Sequence, residues 1–428
     1  MKEDWKKYKL GEIAYFVEEK ISSDELTLNE YITTDCLLQN KKGRTIATNL
    51  PPKSCSLTKF KKGDVLIGNI RPYLKKIWFA ESAGGCSLDV LVLRAKKMEE
   101  ASFLYSLLLQ DDFFDFVMKA PKGSKMPRGD KNHILTYPCF DIQNKIEVGS
   151  FIKSLDDKIA LNKRINAKLE TMAKRLYDYW FVQFDYPDKN GKPYKTSGGK
   201  MVWNEVLKRE IPVGWEVGAL SDIANITMGQ SPEGSSYNEN GRGTIFYQGS
   251  TDFGIRFPTV RMFTTEPARF AQKGDILMSV RAPVGAMNIA NTDCCIGRGL
   301  SAMNSKIGSI TYLYYIMDYF RHTFENKNGA GTTFGSITKD ELFELPVVIP
   351  DSNILKQFEF VVKPIFDKQM NIGFEIQKLT DLRDRLLPLL MNGQVEVSTN
   401  NSSEFCNAKL GKQATACDMN GQVEVIEE

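Results

Sequence analysis

The sequence predicts an α+β protein: two similar globular domains and two long helices that form a coiled coil, related by an internal pseudo-two-fold repeat. Three observations predict it. Framework residues of the first half recur in the second at a near-constant offset, an apolar a/d pattern follows each copy, and a turn-rich stretch separates the first helix from the second copy.

The repeat begins with Lys62-Gly63-Asp64-Val65-Leu66, which returns as Lys273-Gly274-Asp275-Ile276-Leu277. Each copy runs into an arginine closely followed by proline, Arg71-Pro72 in one and Arg281-Ala282-Pro283 in the other. Gly-Asp ahead of an apolar run suits a turn feeding a strand. Further on, Gly123-Ser124 and Pro138 answer to Gly331-Thr332 and Pro346 at an offset of 208, and Ile134 answers to Leu342. Framework positions match while most others differ, as in two domains of one fold with different surfaces.

After each domain comes a helical period. Leu155, Ile159, Asn162, Asn166, Leu169, Ala173 and Leu176 alternate at spacings of four and three. Adding 210 gives Ile365, Gln369, Ile372, Ile376, Leu379, Arg383 and Leu386. The seam is expected along Leu155, Ile159, Leu169 and Leu176 of one helix and Ile372, Ile376, Leu379 and Leu386 of the other. Its polar members cost stability but specify register. Pro364 is expected to divide a short lead-in helix from the long one. A simpler alternative remains open, in which each amphipathic helix covers only its own domain.

These signals divide the chain into a first domain over 1–142, a helical region over 143–182 and a turn-rich linker over 183–213. A second domain over 214–350, a second helical region over 351–392 and a structureless tail from 393 to 428 complete it. The tail repeats Met391-Asn392-Gly393-Gln394-Val395-Glu396-Val397 at Met419 to Val425. The first helix ends in an aromatic group, of which Tyr177, Tyr179, Trp180 and Phe181 are candidates for a partner surface if exposed.

Composition narrows the function. Eight cysteines without Cys-x-x-Cys spacing read as reduced thiols, and two histidines, His133 and His322, leave little for metal or imidazole chemistry. No apolar run suits a membrane span and the amino terminus lacks a signal-peptide pattern, so a cytoplasmic protein is expected. There is no phosphate-cradling Gly-x-x-x-x-Gly-Lys-Ser/Thr, no adenine-methyltransferase Asp/Asn-Pro-Pro-Tyr/Phe and no Gly-x-Ser-x-Gly. A nuclease-like Pro187-Asp188 with Glu205 and Lys208 is one residue too long between its last two members. A non-catalytic chain is therefore expected.

A net charge of +3 does not announce a nucleic-acid binder. Charge is nevertheless concentrated at Lys119, Lys122, Lys125, Arg128 and Lys131, on a segment whose glycines and prolines demand a loop. A solvated charge run and a DNA-contacting loop fit it equally well. Helices of about 25 to 30 residues span roughly 40 Å, comparable to one DNA turn of about 34 Å, so two could hold two readers one turn apart.

Over residues 1 to 392 the chain resembles the specificity subunits of type I restriction-modification enzymes. The resemblance is densest from Lys174-Arg175-Leu176-Tyr177-Asp178-Tyr179-Trp180-Phe181 through Gly198-Gly199-Lys200-Met201-Val202 to Ile211-Pro212-Val213-Gly214-Trp215. Leu386-Leu387-Pro388-Leu389-Leu390-Met391-Asn392-Gly393 is similar again. It implies two target-recognition domains, each reading half of a bipartite duplex DNA target, with an antiparallel helix pair setting the gap. It also implies two methyltransferase subunits that bring S-adenosylmethionine and adenine-N6 methylation, with no cofactor in this chain, and restriction subunits that can join. The alternative is an orphan DNA-binding or scaffold protein without restriction partners. Candidate DNA contacts, chosen by loop placement and charge, are Arg71, Lys75, Lys122, Lys125 and Arg128 in the first domain. In the second they are Arg256, Arg281, Arg298, Thr332 and Thr333.

Overall fold

The computed structural model describes residues 7–123, 125–329 and 335–399, with strands at 406–410, 413–417 and 423–426. It comprises two compact units, Met1–Leu161 with Ile376–Glu428, and Asn162–Glu375. Each unit thus takes part of both long helices, a division that the linear domain scheme does not contain.

In the first unit Ala14–Phe16, Val90–Ala95, Val65–Gly68 and Ile77–Phe79 form an antiparallel sheet in that order. Unbroken runs such as Val65-Leu66-Ile67 and Val90-Leu91-Val92-Leu93 fit a sheet covered on both faces. Alternation along the strands sends their side chains to two cores. Val65, Ile67, Leu91 and Leu93 pack with the helix Ala101–Leu108, while Leu66, Trp78, Val90 and Val92 pack against the second sheet. That sheet orders Lys20–Ser22, Ser56–Phe60, Gly84–Cys86 and Tyr31–Ile32, its last pair parallel. Each fully buried aliphatic side chain contributes about 1.5–3 kcal/mol.

The second unit repeats the plan. Ala224–Met228, Leu300–Ser305, Ile276–Ser279 and Met287–Ile289 take the same order, and their side chains again divide, Ile276, Met278 and Met303 to one core and Leu277, Leu300 and Ala302 to another. The repeated Lys-Gly-Asp has a physical cause. Gly63 and Gly274 sit at φ of +94° and +95°, where a side chain is strained. The aspartate that follows is buried and closes the turn: Asp64 accepts the Lys61 N–H at 2.7 Å and the Nε and Nη2 groups of Arg94, and Asp275 accepts the Gln272 N–H at 2.8 Å.

The long helices run Lys145–Tyr177 and Ser352–Met391, 33 and 40 residues, longer than expected. Pro364 does not interrupt the second. It lies on the exposed side, where the Phe360 carbonyl it leaves unbonded can meet water, so the lost hydrogen bond need not break the helix. Leu155, Ile159, Ile372 and Ile376 are buried, and Leu169, Leu176, Leu379 and Leu386 half-buried. In the first unit Arg383 donates to Asp156 at 2.5 Å; in the second Gln369 donates to Glu170 at 2.7 Å.

Two expectations change. The tail does not lack structure: Val395–Thr399, Cys406–Leu410, Gln413–Cys417 and Val423–Ile426 pair as an antiparallel sheet. Val-Glu-Val alternation suits a strand, and Val395 and Val397 are buried in the first unit's core. The segment 183–213 is more than a linker. Its Met201–Asn204 and Arg209–Pro212 form a hairpin, and Phe184, Tyr186 and Ile211 are buried in the second unit's core.

Candidate nucleic-acid interface

In the first unit three separate stretches meet at one surface. The Arg71 N–H donates to the Pro127 carbonyl at 2.8 Å, Ile70 bridges to Arg128, and the Asn69 side chain accepts the Gly129 N–H at 2.9 Å. From the other side the Asn40 and Lys41 N–H groups donate to the Leu74 and Lys75 carbonyls, each at 2.9 Å. Arg71, Lys75, Lys125 and Arg128 are thereby brought onto one loop cluster. The Lys122 backbone pairs with Arg128; its side chain lies outside the described residues. Arg71 and Lys125 are exposed, and Arg128, about half exposed, reaches Asp89 at 3.0 Å.

The cluster is strained. Asn40, Lys41, Arg71 and Lys75 have φ between 51° and 60°, four of the seven non-glycine positive-φ residues among those described. Each such residue costs of order 1–3 kcal/mol and persists only where its surroundings hold it. Part of the hold is electrostatic: Asp111 takes Lys41 and Lys75 at 2.9 Å each. Burial alone would raise the Asp111 carboxyl, but hydrogen bonds from the two lysines outweigh it and keep it below the usual range. Lys41 was not singled out in the sequence, because its proximity to Lys75 arises from a backbone pairing across more than thirty residues.

In the second unit Arg281 is exposed and bridges to Ser336, and the Ala282 N–H donates to the Gly335 carbonyl at 3.2 Å. This repeats the pairing of residues 70–71 with 127–128. Arg298 is exposed on another loop, its N–H donating to Ser231 Oγ at 3.2 Å. Thr332 and Thr333 lie outside the described residues.

Arg256 is not a surface reader. It is 5% exposed, donates to Glu170 at 3.0 Å, Tyr314 at 3.1 Å and Gln369 at 3.3 Å, and stacks over the rings of Tyr314 and Phe366. A buried guanidinium needs carboxylate and hydrogen-bonding partners, and here the helices supply them. The aromatic group is likewise corrected. Tyr177, Trp180 and Phe181 are buried among Tyr312, Phe358 and Trp215, and only Tyr179, 38% exposed, reaches the surface. Burial of three large rings outweighs any gain from leaving them wet.

Tyr179 joins a different face. Ile165, Met172 and Tyr179, seven residues apart and 36%, 54% and 38% exposed, mark an apolar stripe on the outer side of the first long helix. A groove of about 800 Å³ lined by Lys168, Met172, Arg175 and Tyr179 runs along it. The nuclease-like pattern dissolves into turn chemistry, with Asp188 accepting the Asn190 and Lys192 N–H groups and Glu205 pairing with Lys208 on the surface. His133 stacks on Phe116 as a packing residue.

The two units repeat one α+β framework and carry dissimilar basic loops. Residues 212–368 match the type I restriction modification DNA specificity domain. The chain is 26% identical over 374 residues to the type I restriction enzyme MjaIX specificity subunit of Methanocaldococcus jannaschii, covering 83% of each. With the HindI specificity subunit of Haemophilus influenzae it shares 24% over 470 residues, 92% of this chain and all of that one. The type I restriction-modification S subunit of M. genitalium has a similar fold, with a TM-score of 0.56 at 15% identity over 90% of this chain and 95% of that one. Residues 212–368 are thus similar to a type I restriction modification DNA specificity domain, and most of the chain is similar to type I restriction enzyme specificity subunits. No helix among the described residues is long and apolar enough to cross a membrane.

Proposed function

We propose that this specificity subunit reads an asymmetric, bipartite duplex target, one half with each recognition domain, while the two long helices form an antiparallel coiled coil that sets the gap. The observation that carries the reading is one framework built twice with different loops. Where the first unit presents Arg71, Lys75, Lys125 and Arg128, the equivalent turn of the second presents Arg281 followed by Ala282-Pro283-Val284-Gly285. Two copies of one surface would read a palindrome; two different surfaces read different half-sites.

The chain itself performs no chemistry in this reading. Two methyltransferase subunits carry S-adenosylmethionine and methylate adenine at N6, and restriction subunits join that complex. The stripe of Ile165, Met172 and Tyr179 suits a partner helix laid along the first long helix, its i, i+7 apolar anchors alternating with Lys168 and Arg175. Purified alone, the chain should transfer no methyl group from radiolabelled S-adenosylmethionine to duplex DNA; with its methyltransferase it should. Methylation by the chain alone would overturn the assignment. Met172→Asp and Tyr179→Asp should each weaken co-purification of the methyltransferase at least tenfold, about 1.4 kcal/mol, with the melting temperature unchanged. Undiminished co-purification would place the docking face elsewhere.

A further inference from the structure

The strained cluster of the first unit serves something that its packing does not explain. Arg71 and Lys75, both in the left-handed region, bracket the single turn Pro72–Leu74, and at its apex stands Tyr73, half exposed. Pro72 is buried and sets the backbone angle on one side. The neighbouring Asn40-Lys41, also left-handed, is hydrogen-bonded to the carbonyls of Leu74 and Lys75, and Asp111 ties the ammonium groups of Lys41 and Lys75 together. Tyr73 has no place among the buried residues of either core of its unit. A turn held this firmly around a ring that the fold does not bury is preorganised to present that ring outward.

From this placement we infer that Tyr73 is a base-contacting finger, stacking its ring on a base of the first half-site while the flanking Arg71 meets a phosphate. The inference rests on the specificity-subunit reading and adds a residue class to it, since aromatic readout was not among the charged contacts chosen from the sequence. The chemistry is complementary: a π face contacts a base by stacking and tolerates sequence, the exposed Arg71 neutralises backbone charge beside it, and Lys41 and Lys75, tied to Asp111, hold the turn. Rigidity matters because an immobile ring loses little freedom on binding. Among the described residues the corresponding turn of the second unit, Arg281-Ala282-Pro283-Val284-Gly285, carries no aromatic residue, so the unstacking is expected in the first half of the target.

The test uses the complex isolated from cells and a duplex bearing the motif read from methylated genomic DNA. 2-Aminopurine is placed at successive positions of each half-site other than the methylated adenine. The wild-type complex should brighten 2-aminopurine at one or two positions of the first half-site and at none flanking the second. Tyr73→Ala should abolish that signal and weaken binding roughly 5- to 150-fold. Tyr73→Phe, which keeps the ring, should stay within about threefold of wild type, and both variants should melt with the wild type. If Tyr73→Ala binds and brightens as wild type does, the finger is overturned and the specificity reading stands. Should Tyr73→Phe fail together with Tyr73→Ala, the hydroxyl rather than the ring makes the contact, and stacking is overturned. A wild-type complex that binds the motif no better than a scrambled duplex overturns both readings.

Discussion

Arg383→Met should lower the melting temperature of the first unit by roughly 6–12 °C. Arg383 is 6% exposed and donates to Asp156, which also accepts the hydroxyl of the buried Tyr105. Burial alone would weaken the Arg383 charge, but Asp156 and Asp384 outweigh it and hold the guanidinium proton above even the usual arginine range. Removing the arginine strands the carboxylate of Asp156, only 15% exposed, with a single neutral donor. Breaking such a pair costs about 3–5 kcal/mol, and the retained Tyr105 bond places this case near the lower end. At about 2–4 °C per kcal/mol for a unit of this size, the stated shift follows. Adding Asp156→Leu removes the stranded charge and should recover part of the loss. Differential scanning calorimetry decides it: a single variant melting within 2 °C of wild type would mean that the pair is not buried as described.

The second large effect is on specificity. Losing one good base contact costs about 1–3 kcal/mol, which relaxes one target position by roughly 5- to 150-fold. Arg128→Ala or Lys125→Ala should therefore loosen only the half-site read by the first unit, and Arg298→Ala or Arg281→Ala only the other. Arg256→Met belongs to another category. Its guanidinium is consumed by Glu170, Gln369 and Tyr314, so the variant should lose stability before it loses sequence preference. The methylated-adenine motif in genomic DNA from cells carrying each variant, read by long-read sequencing, separates these outcomes. A palindromic motif, or a first-unit substitution that relaxes both halves equally, would contradict two independent readers.

Local signals located most of the architecture. Lys-Gly-Asp marks the same turn in both units because only a residue without Cβ takes that φ comfortably and an aspartate can then close it. Offsets near 210 locate equivalent elements, as Ile134 and Leu342 illustrate, both buried within short helices that begin at Lys131 and Lys339. The two long helices are legible for a similar reason: apolar spacing along a helix is a local property. At Pro364 the lost hydrogen bond is visible in the sequence, but the side of the helix on which the proline lies is not.

By itself, the sequence determined that the fold is built twice, where each copy's framework lies, and that two amphipathic helices follow the copies. Its loops also carried the cations Arg71, Lys75, Lys125 and Arg128 without stating that they meet. Only the tertiary structure decided that meeting, because it depends on pairings such as Arg71 with Pro127 and Lys41 with Lys75, between segments far apart in the chain. Burial decided the rest. An arginine and an aromatic cluster look the same in sequence whether they face water or a core, and the structure placed Arg256 against Glu170 and Trp180 against Phe358. The physical reason is that period and turn chemistry act between near neighbours, whereas exposure and charge pairing are set by whatever distant segment packs alongside.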